Sequence, residues 1–147
     1  MTKKKHVWFW LAPVALVVAG GAVMAAKMMQ PPPADLDYAL SKKTDGGLYI
    51  GTLEPGLDPV TVGPIHNWTI EVKTVDGVPV EHASISIDGG MPQHGHGLPT
   101  KPQVTQDLGD GRYLIEGMKF NMPGWWVIEI DIDGAAGTDV ATFNLSL

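Results

Sequence analysis

The stretch GGMPQHGHGLPTKP, residues 89–102, gathers two histidines, a methionine, four glycines and three prolines into fourteen positions. Proline removes backbone donors and glycine relaxes the chain, so this is a loop and not the interior of a regular element. Imidazole suits copper and zinc, and a thioether selects Cu(I). In an extended segment residues two apart project to one side, and Gly95 and Gly97 let the backbone bend, so His94 and His96 can face one ion. Met91, three residues before His94, offers a sulfur. Met118 and Met122 flank KFN in the later run MKFNMPGWW, whose Trp125 or Trp126 could lay an indole face over a bound cation. His66 is a candidate third imidazole. Copper, as Cu(I), is the expected cofactor of such a set.

Each of these residues also has a plainer reading. Gly-Gly-Met-Pro and Gly-Leu-Pro-Thr-Lys-Pro suit a long crossover between sheets, with the histidines as its exposed polar residues. Met118 and Met122 suit core filling, because methionine adapts to irregular gaps. Trp68 alternates with apolar neighbours and reads as core. Strand alternation sends one of Trp125 and Trp126 inward and the other outward, and His82 reads as solvated.

Catalysis has little to build on. The chain has no cysteine, which removes disulfides, thiolate metal sites, thiol nucleophiles and a lipid-bearing cysteine. It has no Gly-x-Ser-x-Gly elbow, P-loop or His-Glu-x-x-His, and His94 and His96 have no nearby serine to activate. Asp131 and Asp133 sit two apart near a strand end, where acidic alternation means solvent. The expectation is a non-enzyme.

The elements that must position these residues are short alternating runs between turn signals. LYIGTL (48–53), HNWTIEVKT (66–74), DGVPVEHASISIDG (76–89), LGDGRYLIEGMKF (108–120), GWWVIEIDID (124–133) and TDVATFNLSL (138–147) read as strands, two of them entered through Asp-Gly turns. Six or seven strands in about a hundred residues predict an all-β fold, an immunoglobulin-like antiparallel β-sandwich. It occupies residues 47–147, behind a Pro-rich linker over 27–46 that includes Pro31 to Pro33.

The N-terminus addresses the chain. A basic tail over residues 1–6 precedes Val7 to Ala26, twenty residues without a charge. As a helix this run is about 30 Å long, enough to cross a bilayer's hydrocarbon core. Lys3, Lys4 and Lys5 hold that end in the cytoplasm, so the rest is exported. Val23-Met24-Ala25 fits a signal-peptide cleavage site poorly, which favours a single-pass anchor in the inner membrane over a cleaved leader. All sixteen carboxylates lie at or beyond Asp35, against six Lys and Arg there. An exported part that acidic argues against nucleic acid or anionic lipid as a partner.

The segments GPIHNWTIEV, MPQHGHGLPT and GDGRYLIEGMKFNMPGWW, within residues 60–147, resemble the YtkA-like domain of FixH-family proteins, and a preceding membrane helix fits the same layout. The resemblance implies a small exported β-sandwich. For FixH members it further implies a part in assembling a copper-containing respiratory oxidase. The reading is a membrane-anchored periplasmic copper-binding protein whose partner is a copper enzyme or assembly factor. The alternative from another class is a tethered protein–protein interaction module without metal, with prolines and an outward tryptophan as rigid contact area.

Overall fold

Apolar residues at every second position force each run to bury one face and wet the other, and pairing those faces makes two layers. The computed structural model describes residues 31–147, and the expected basic tail and membrane helix over 7–26 lie outside them. Among the described residues the strands are β1 (Ser41–Lys43), β2 (Tyr49–Pro55), β3 (Ile65–Thr74), β4 (Ser84–Met91), β5 (His96–Gly97), β6 (Gln103–Gly109), β7 (Arg112–Lys119), β8 (Trp125–Gly134) and β9 (Gly137–Ser146). One antiparallel sheet has the order β1-β2-β3-β7-β6 and the other β5-β4-β8-β9. No helix occurs among the described residues. The fold is an all-β sandwich.

The inward positions match the alternation. Trp68, Ile70 and Val72 of β3, Tyr113 and Ile115 of β7, and Trp126, Ile128, Ile130 and Ile132 of β8 are buried in one core. Side chains of this size contribute about 1.5–3 kcal/mol each on burial. Asp110 and Gly111 both take positive φ in the β6–β7 hairpin, the geometry a two-residue Asp-Gly turn favours.

Three strands add to the six expected runs. β5 is two residues long and β6 carries two register shifts, at Val104/Gln106 and Asp107/Gly109, so neither shows a clean period of two. Ser41–Lys43, inside the stretch read as linker, pair with Thr52–Ile50 as β1. The residues that follow are clasped by Asp139, whose carboxylate accepts from Thr44 Oγ1 at 2.6 Å and from the amides of Gly46 and Leu48. The compact unit accordingly runs from Asp35 to Leu147, twelve residues earlier than the turn-rich composition around Gly47 suggests.

Candidate functional site

Gly90 faces Gly97, and Met91 faces His96, in the ladder that joins β4 to β5. The amides of His94 and Gly95 both donate to the Met91 carbonyl at 3.0 Å, and Gly95 takes a φ of 63°, which closes the turn. A Cβ on Gly90 would stand 2.2 Å from the His96 carbonyl oxygen, so only glycine lets β5 lie this close. The hairpin leaves His94 half-buried and His96 exposed, with ring centres 6.2 Å apart and planes tilted by 48°. Two imidazoles that hold one ion at about 2 Å from each nitrogen have ring centres no more than about 6 Å apart, so this pair stands at the limit of that reach. A depression of about 370 Å³ beside His96 is lined by Met91, His96, Asp88 and Glu129, and His94 is not part of its lining.

Met91 points the other way from its neighbours. Its side chain is buried, and a Cβ placed on Gly124 would come within 2.9 Å of its methyl group. The hairpin is thereby packed against the turn between β7 and β8. Met122, half-buried in that turn, accepts the Trp126 indole N–H at its carbonyl, 3.0 Å away. Trp126 is the inward tryptophan, and Trp125 is the half-exposed one, bonded to Asn144 Oδ1 at 2.9 Å.

His66 and Met118 are cross-strand partners on β3 and β7, and both are buried. The Trp68 indole donates to His66 Nδ1 at 2.7 Å. A ring nitrogen that accepts carries no proton, so this bond assigns the proton of the neutral imidazole to Nε2. Nε2 is itself buried and has no hydrogen-bond partner among the described residues. Burial holds the His66 pKa below the usual histidine value. Phe120 lies 5.9 Å from the His66 ring and 5.1 Å from Trp126, ring centre to ring centre. Held this way, His66 has no free lone pair, and ligating a metal would require it to give up the Trp68 bond.

All six expected ligands therefore stand at one end of the sandwich, where β4 and β7 finish and β3 and β8 begin. They divide into two groups. Met91, His94 and His96 share the hairpin, whereas His66 and Met118 share the aromatic interior, with Met122 in the turn at that end. Asp88 and Glu129 beside His96 were not among the expected residues. They are direct partners across β4 and β8, a register that no single strand reveals.

Another group lies at the opposite end. Glu81, His82 and Asp107 bring one ligand atom each within 4.8 Å of one another, with His82 Nδ1 3.4 Å from Asp107 Oδ2. All three are exposed, and exposed acidic groups of this kind are common without an ion. Asp107 belongs to the irregular β6, so strand alternation could not have placed it beside His82.

No curated protein matches the chain. The pattern of the YtkA-like family matches residues 52–131, from β2 through most of β8, and so takes in His66, the hairpin with Met91, His94 and His96, and the turn with Met118 and Met122. With more than half of its length matched, the chain belongs to the YtkA-like family.

Proposed function

We propose that this chain is a membrane-anchored, extracytoplasmic copper-binding protein, with an immunoglobulin-like sandwich that holds Cu(I) or hands it to a copper enzyme or its assembly factor, in keeping with the copper-oxidase assembly associated with FixH members of the wider family. The observation that carries the reading is the β4–β5 hairpin, which sets exposed His96 across from Met91 with the His94 ring 6.2 Å from that of His96. Two imidazoles at that separation suit a low-coordinate soft ion, and the Asp88 and Glu129 carboxylates, which share a depression with His96, draw cations toward it. Met91, the ladder partner of His96, offers a thioether whose side chain lies inward of the pair. Met118 and His66 support the hairpin's end of the core.

The test is titration of the full chain in detergent micelles with Cu(I) under a competing chelator, beside the His94→Ala/His96→Ala double variant. A wild-type affinity at least about tenfold tighter than the variant's supports the reading. Equal affinities overturn it.

A further inference from the structure

Among the described residues, every free sheet edge of this sandwich but one is disarmed. β1 is three residues long and carries Lys42 and Lys43. β6 is broken by two register shifts. The β9 edge is covered where Asp45 donates to the Val140 carbonyl and Asp139 clasps residues 44–48. Short length, lysines, bulges and covering segments are the devices that keep edges from pairing with another chain. β4 has such cover only at its last three residues, Gly89–Met91. It pairs with β8 in unbroken register over Ser84–Gly90, while β5 covers its other side only at Gly90 and Met91, with one further bond from Leu98 to the Gly89 carbonyl. Since Gly89 turns its carbonyl to that side, alternation turns the amides and carbonyls of Ile85 and Ile87 the same way. No strand among the described residues takes them up.

Beside this edge the two sheets part around a groove of about 610 Å³, with Ile85 and Ile87 on one wall and Leu98 and Val104 on the other. All four belong to the margin of the core yet remain half-exposed. The outward face next to the edge is a block of anions. Asp88 is paired with Glu129, and Ser84 and Ser86 are paired with Asp133 and Asp131. Like charges set directly opposite across a ladder, as Asp88 and Glu129 are, destabilise it. The outward positions of β4 and β8 contain no lysine or arginine to relieve this. Among the described residues the groove has one cation, Lys101, which stands on the opposite wall.

We infer that the Ser84–Asp88 edge of β4 accepts a strand from a partner protein, an extended segment that alternates Lys or Arg with aliphatic residues. Its backbone bonds Ile85 and Ile87, its aliphatic side chains fill the groove, and its cations lie on the face shared with Asp88, Glu129 and Asp131. Strand addition of this kind takes affinity from main-chain bonds and specificity from alternate side chains. The same charge block disfavours a second copy of this chain, because edge-to-edge pairing would set Asp88 and its neighbours against their own kind.

The experiment uses the full chain, metal-free in detergent micelles, with a synthetic peptide of alternating lysine and valine, a glutamate–valine counterpart and a shuffled lysine–valine peptide. The alternating basic peptide should bind saturably and slow amide exchange at Ile85 and Ile87 by at least about tenfold. Glu129→Lys/Asp131→Lys, which alters exposed side chains only, should weaken that binding about tenfold while leaving the thermal midpoint near wild type. Three results overturn the inference: protection appearing at β6 in place of β4, equal binding of the acidic or shuffled peptide, or binding unchanged in the double lysine variant. Self-association through the β4 edge without peptide overturns the choice of partner.

Discussion

Where β2, β7 and β9 begin, the sandwich closes on oxygen atoms. The Tyr113 hydroxyl donates to the Val80 carbonyl at 2.6 Å and accepts from the Ala83 amide, and Tyr49 spans Gly137 and Ala136 in the same manner. Asp139 adds bonds from Thr44, Gly46, Leu48 and its own neighbour Val140. At the far end the core closes on sulfur and rings: Met91, Met118, Phe120, Trp126 and His66. Directional bonds fix the first end to one geometry. Thioethers and tilted rings have shallow orientational preferences, so the second end is held chiefly by packing, with the Trp68–His66 and Trp126–Met122 bonds as its directional contacts. Directional polar bonds are concentrated at one pole, and apolar, aromatic packing at the other.

The strongest challenge to that contrast is Trp126→Ala. It should cost about 3–5 kcal/mol, read as a lowered urea midpoint, because no neighbouring side chain can fill an indole-sized cavity. A cost under about 1 kcal/mol would mean that the aromatic end contributes little packing.

Asp139→Asn comes next, at about 2–3 kcal/mol, since it weakens several charge-assisted bonds at once. Burial alone would raise the Asp139 pKa, but the bonds from Thr44, Leu48, Gly46 and Val140 outweigh it and bring the value down to about 2. The folded state therefore releases this proton more readily than the unfolded chain, whose carboxyl titrates near 3.8. The stabilisation is whole above that range and drains as pH falls toward about 2. Denaturation midpoints measured from pH 6 to pH 2 should fall more steeply for wild type than for Asp139→Asn.

The smallest effect is expected of His66→Gln, whose amide oxygen can still accept the Trp68 indole; at pH 8 the change should stay within about 1 kcal/mol. Its diagnostic is the slope. Burial keeps the folded His66 below its ordinary 6.5, so the unfolded chain takes up the proton first. Stability from the neutral ring is complete above that value and is lost as pH drops through it toward the lower folded value. Wild type should show this mildly acidic loss, and the glutamine variant should lack it. Identical profiles would remove His66 as the titrating group.

Strand existence and facing were readable from one sequence wherever a run kept strict alternation, as in β3 and β8. Trp68 and Trp126 could be placed inside, or narrowed to one of a pair, without coordinates. β1, β5 and β6 were not readable, because three residues, two residues and a twice-shifted run carry no period. Met91, His94 and His96 could be picked as a loop cluster from composition alone. That Met91 turns inward while His96 stays out depends on pairing with β5, which is non-local. The Trp68–His66 bond was hidden for the opposite reason. Two residues apart on one strand face is the commonest spacing in a sheet, and only burial of both makes it a tautomer lock.

The Asp139 clasp also decides how the domain would bear a pull. Tension arriving through the residues ahead of Asp35 reaches β1, bonded to β2 in one sheet, and almost at once Thr44 and Asp45, bonded to β9 in the other. The load divides between both layers and is shared by several bonds together, so the domain would resist being peeled open from that end.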